Sequence, residues 1–124
     1  MEFFEASTFT RRVAEYLDDE AYRTLQNALA ISPDGGDLMP GTGGFRKLRW
    51  ADPRRGKGRR GGLRIIYYHF LSDHQIWLMT IYDKDEAADL TPSQKRLLKN
   101  VIAVELDSRE AQRSAQEGRT RRKR

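Results

Sequence analysis

The sequence predicts an α+β domain: two helices, then a run of strands, then a closing helix. Three observations carry this. Phe9, Val13, Tyr16 and Leu17, then Tyr22, Leu25 and Leu29, recur at helical spacing. Leu63–Leu71 and Gln75–Tyr82 are rich in Ile, Tyr, Phe and Trp, as strands prefer. Thr91-Pro92-Ser93-Gln94 is a helix-start signature set before a third apolar stripe.

Taken in order, Ser7 or Thr8 can cap the first helix, and Asp18 or Asp19 the second. Pro33 and Gly35-Gly36 stop the second helix. Helices this short and close form a hairpin or a bent pair. GTGG at 41–44 provides a tight turn with positive φ ahead of a strand. On that strand Leu48 and Trp50 share one face and pack on helices, while Lys47 and Arg49 share the other. Asp52–Gly62 is too basic and glycine-rich for core and reads as a loop. Ser72, Asp73 and His74 form the turn between the two aromatic strands. Thr91 caps the last helix, Pro92 fits its first position, and Leu97, Leu98, Val101, Ile102 and Leu106 form its buried stripe. From about Gln112 no apolar side chain larger than Ala occurs, so the domain spans 1–111 and 112–124 is a basic, disordered tail.

Charge is unevenly spread. Arg46–Arg64 holds nine Lys or Arg and one acid, a local +8, whereas the chain as a whole carries +5. The tail Arg113–Arg124 adds +5, and residues 1–44 carry −5. Concentrated positive charge attracts polyanions, and phosphate backbones are the commonest of these.

Several classes are excluded or unsupported. Cysteine is absent, so neither a disulfide framework nor a Cys-based zinc site exists. No apolar run is long enough for a membrane span, and the acidic N-terminus lacks signal-peptide character. A cytoplasmic protein with no metal and no cofactor is expected. GTGG is not a phosphate-binding P-loop: Gly56-Lys57 is followed by Gly58, where Ser or Thr is required. No Ser/His/Asp arrangement and no pair of acids bracketing a cleft is visible. His69 reads as a structural strand residue and His74 as a solvated turn residue. Tyr67, Tyr68, Phe70 and Trp77 read as packing residues.

Lys47 and Arg49 on one strand, Arg64 opening the next, and Tyr82 and Lys84 closing the last could gather on one surface of a small antiparallel sheet. Cations that hold phosphate beside a ring that stacks on a base suit RNA. A solvated strand face with scattered charges fits the same spacing.

The segments GTGGFRKLRW, GKGRRGGLRIIYY and LMTIYDKDEAADLTPSQ together resemble the RelE/ParE superfamily of bacterial type II toxins, most closely its HigB-like branch. The resemblance covers roughly Phe3 to Glu110. It implies a RelE-like fold, with an N-terminal helical hairpin packed on a small, mostly antiparallel sheet and a C-terminal helix. It implies a ribosome-dependent mRNA endonuclease that inhibits translation, neutralised by a HigA-like helix-turn-helix antitoxin. Its catalytic positions fall on Lys47, Arg49, Arg64 and Lys84.

RNA cleavage needs an activated 2′-OH, stabilised phosphate charge and a protonated 5′-oxygen. Arg49 and Arg64 suit the phosphate. Lys47 suits the base if neighbouring cations lower its pKa, and Lys84 the acid. Tyr82, Arg46, Arg54, Arg55, Lys57, Arg59 and Arg60 are the expected RNA contacts, with the loop from Arg54 to Arg60 directed at ribosomal RNA. Two other readings remain: a ParE-like toxin that poisons gyrase, and a non-catalytic RNA- or DNA-binding protein with the same patch.

Overall fold

A computed structural model describes residues 1–55, 62–87 and 89–122; of these, the side chains of Arg55 and of 119–122 are not described. The chain runs β1 (Glu2–Glu5), α1 (Ser7–Tyr16), α2 (Asp19–Ile31), β2 (Asp37–Leu38), β3 (Arg46–Trp50), a 3-10 turn at Pro53–Arg55, β4 (Leu63–Phe70), β5 (Gln75–Asp83) and α3 (Pro92–Arg122). The fold is α+β, as the sequence predicts. Among the described residues the sheet has five strands in the order β1-β5-β4-β3-β2. It is mixed: β1 pairs parallel to β5, and the other pairs are antiparallel.

Two strands were not expected. β1 is short, acidic and half exposed, so no alternating apolar pattern announces it; its partner lies about seventy residues on, with Phe4 opposite Trp77. β2 is only two residues long.

Local chemistry accounts for the other elements. The Asp18 carboxylate accepts from the Ala21 N–H at 2.7 Å and caps α2. α1 starts after Ala6, whose side chain makes no cap, so neither Ser7 nor Thr8 plays that part. At α3 the capping box is complete. Thr91 N–H donates to Gln94 Oε1 at 2.8 Å, and Gln94 N–H donates to Thr91 Oγ1 at 3.2 Å. In the glycine turn Gly41, Gly43 and Gly44 all have positive φ, and buried Thr42 ties Met39 O to Phe45 N.

The sheet carries apolar side chains on both faces. On one face Leu63, Ile65, Tyr67, Leu78 and Ile81 meet Phe9 and Tyr16 of α1 and Leu25 and Leu29 of α2, with Leu48 and Trp50 packed alongside. On the other, Ile66, Phe70 and Tyr82 meet Phe45, Leu98 and Ile102. β4 is the middle strand and is covered from both sides, which explains its nearly continuous apolar run.

α3 differs from expectation in two ways. Leu98 and Ile102 are buried, but Leu97 is 63% exposed and Leu106 lies at the margin. The buried face is rotated because Arg109 fills it: its guanidinium sits 3.7 Å from the Phe70 ring centroid and is held by Asp73, Gln75 and Glu105. The helix also continues to Arg122, through the segment the composition assigns to a disordered tail. Ala, Gln, Glu and Arg are good helix formers, so a helix can extend there without an apolar face. No helix among the described residues is long and apolar enough to cross a membrane.

Candidate nucleic-acid interface

Register brings the predicted cations together. Arg49 on β3 pairs with Arg64 on β4, and Arg64 pairs with Tyr82 on β5. Directly paired residues share a face, so the three form one row across three strands. Lys47 lies two residues along β3, opposite Ile66, on the same face. This is the face that α3 crosses, since Ile66 and Tyr82 belong to the α3 core. Lys84 follows β5 directly, and its N–H donates to Gly62 O at 2.8 Å, which fixes it just past the β4–β5 pairing.

A β-bulge keeps this row in phase with the core. Ile66 pairs with Thr80 and Tyr67 with Leu78, which leaves Met79 as an extra residue. Without it, either Tyr82 or Trp77 would turn to the wrong face.

The site contains an acid that the sequence reading missed. Asp89 Oδ1 lies 3.7 Å from Lys47 Nζ, and Asp89 Oδ2 lies 3.2 Å from Lys95 Nζ. Burial opposes the ionisation of Asp89, but the Leu90 N–H, Lys95 and Lys47 outweigh it and hold the carboxyl below its usual value. Lys47, Arg49, Asp89 and Lys95 line a notch of about 140 Å³ together with Asp37 and Leu38 of β2. Spacing in the sequence could not find this acid, because the contact joins β3 to the segment before α3.

Tyr82 is not a stacking platform. It is 6% exposed, its ring packed among Leu98, Ala87 and Leu90. Its hydroxyl is buried and has no hydrogen-bond partner among the described residues. Burial pushes the phenol pKa up; Asp89 adds to this and Arg64 opposes it. Neither the ring nor the hydroxyl of Tyr82 is open to a ligand in this structure.

Other predicted contacts lie elsewhere. Arg46 points to the opposite face and holds the turn after α2, donating to Gly36 O at 2.8 Å and pairing with Asp34 at 3.5 Å. Arg54 is an anchor. It pairs with Asp52 at 2.7 Å and with Asp83 at 3.2 Å, and lies 4.6 Å from the Tyr16 ring centroid. The Asp52 side chain is 1% exposed, so Arg54 compensates a buried charge. Lys57, Arg59, Arg60 and the side chain of Arg55 lie outside the described residues. His69 Nδ1 lies 2.9 Å from Asp34 Oδ1, a structural contact on the same face as Arg46. Tyr67 and Phe70 are buried, with Tyr68 and Trp77 packed around them.

The arrangement can hold an anion at exposed Arg49, with Arg64, whose guanidinium donates to Leu63 O at 3.1 Å, on the paired strand and the Lys47 ammonium group to one side. A scan against models of known protein families matches none.

Proposed function

We propose that this chain is a ribosome-dependent mRNA endonuclease, the toxin of a type II toxin–antitoxin pair with the RelE-like arrangement of the HigB-like branch. The observation that carries this reading is the register of Arg49, Arg64 and Tyr82 across three strands, with Lys47 and Lys84 nearby. Two arginines in direct opposition are unfavourable for a sheet. They suit a site built for a phosphate whose negative charge grows during reaction.

In the proposed reaction the 2′-oxygen attacks the adjacent phosphorus, a new P–O2′ bond forms and the P–O5′ bond breaks. Lys47, once neutral, takes the 2′-OH proton. Arg49 and Arg64 stabilise the added charge on the non-bridging oxygens. Lys84 gives a proton to the departing 5′-oxygen. The products are a 2′,3′-cyclic phosphate and a 5′-hydroxyl. The ribosome supplies the geometry: positioning a reactive conformer is worth several kcal/mol and relieves the protein of that task.

Control falls to a HigA-like helix-turn-helix antitoxin. The sheet separates the row of cations from α1 and α2, which belong to the acidic part of the chain. Those helices are the proposed docking surface. The Lys47–Asp89 ion pair is the one observation that favours the rival, a non-catalytic nucleic-acid-binding protein, because it ties up the proposed base. Induction of the chain alone, with and without the product of the neighbouring gene, separates the readings. Growth arrest relieved by a co-purifying partner is the expected result. Harmless induction without any partner opposes it.

A further inference from the structure

The cationic row on the sheet continues onto the helix that crosses it. Lys95 stands in the first turn of α3, and no sequence motif singles it out. Its Nζ and that of Lys47 approach the two oxygens of one carboxylate, Asp89, at 3.2 and 3.7 Å. Arg49 opens onto the same notch, so three cations face two carboxylates, Asp89 and Asp37. Asp89 is 43% exposed and can move into water. A phosphodiester carries the same single charge as this carboxylate and offers the same kind of acceptor oxygens.

We propose that Lys95, with Arg49, forms a second backbone-phosphate subsite for single-stranded RNA beside the proposed base Lys47, occupied in the free protein by Asp89 as an internal substitute. The proposal rests on the reading of this face as an RNA site. Lys47 lies about 7 Å along β3 from the Arg49–Arg64 pair, given the rise of an extended strand. A phosphate held at Lys95, where Asp89 now lies, is thus displaced from one held at the arginine pair. Lys95 positions the RNA and takes no part in bond making. Asp89 raises selectivity: only a ligand that supplies a phosphate here repays the broken ion pairs.

The test is equilibrium binding of a short single-stranded 2′-O-methyl RNA, which cannot be cleaved, to the full chain over a series of salt concentrations without ribosomes. Lys95→Ala should weaken binding several-fold and reduce the slope of log K against log salt by about one. Lys95→Arg should restore most of it. Asp89→Asn should tighten binding, and its gain should shrink in the Lys95→Ala background, because the two residues act through one contact. Arg23→Ala, an exposed cation on α2 behind the sheet, is the control. The proposal is overturned if wild type does not bind, if Lys95→Ala falls no more than Arg23→Ala, or if Asp89→Asn leaves affinity unchanged. Because no ribosome is present, failure of ribosomal cleavage leaves these results standing, and the reverse also holds.

Discussion

Arg49 and Arg64 stand directly opposite each other across β3 and β4. Like charges in this position oppose strand pairing. Arg49 is exposed and makes no hydrogen bond or ion pair among the described residues, so its charge is not consumed by the fold. Arg64, whose guanidinium donates to Leu63 O at 3.1 Å, sets a second cation beside it, and an exposed cation placed against a like charge points to an anion as its partner. Arg49→Ala and Arg64→Ala should therefore each lower ribosomal mRNA cleavage by roughly 10²–10³-fold, the usual loss for a transition-state donor. The melting temperature of Arg49→Ala should equal or exceed that of wild type, since its removal relieves the like-charge opposition. Wild-type cleavage rates in both variants, or a clear loss of stability in Arg49→Ala, would contradict this.

Lys47→Ala and Lys84→Ala should each slow single-turnover cleavage by about 10²–10⁴-fold, the range for general acid–base groups. The two roles can be told apart. A substrate whose scissile 5′-oxygen is replaced by sulfur has a leaving group that needs no proton. It should rescue Lys84→Ala and leave Lys47→Ala slow. Equal rescue of both would remove the assignment of acid and base.

The Tyr82 hydroxyl is buried without a partner among the described residues. An unmet buried donor destabilises by about 1–3 kcal/mol. Tyr82→Phe should then be neutral or stabilising by about 1 kcal/mol in urea unfolding, since it deletes the polar group and keeps the ring. A destabilised Tyr82→Phe would mean that the hydroxyl already has a partner in solution.

Arg54 separates a charge-based reading of the basic segment from a packing-based one. If it served RNA alone, Arg54→Ala would leave stability intact. Its pairing with buried Asp52 and Asp83 predicts a loss of about 1–3 kcal/mol, read as a lower urea midpoint. An unchanged midpoint would return Arg54 to the RNA-binding set.

Glu86 links stability to pH. Its carboxyl is held below the ordinary value of 4.5, first by the hydrogen bond from Tyr16, against burial, and further by Arg12 and the Asp83 N–H. A carboxyl lowered in the folded state contributes stability that is fully present above about 4.5 and is lost as pH falls through the folded value. Glu86→Gln should flatten the decline of the urea midpoint below that pH and lower the midpoint near neutrality. Parallel curves for the two proteins would contradict the linkage.

What could be read from the sequence was local. The capping box at Thr91 and Gln94, the stop after α2, the glycine turn and the β4–β5 hairpin are each written within a few residues. So was the alternation that sets Lys47 and Arg49 apart from Leu48 and Trp50. Features that depend on distant partners were not legible. β1 exists by pairing with β5, about seventy residues on, and by packing Phe3 against the core under α1 and α2. The buried side of α3 is set by Arg109 on Phe70, where an apolar count would not look. Net charge placed Arg46 and Arg54 in the RNA set, yet their neighbours Asp34, Asp52 and Asp83 hold them in the framework. Asp89 beside Lys47 escaped notice for the same reason.

The central claim is that this face cuts mRNA held in the ribosome. The direct measurement is the mapping of 5′ ends on a defined mRNA translated in a purified system with the protein, alongside the same mRNA without ribosomes. Discrete cuts are expected within the translated region, with 5′-hydroxyl ends, and they should disappear when ribosomes are omitted and when Arg64 is replaced by Ala. Intact mRNA in the presence of ribosomes, or cuts that persist in Arg64→Ala, would contradict it.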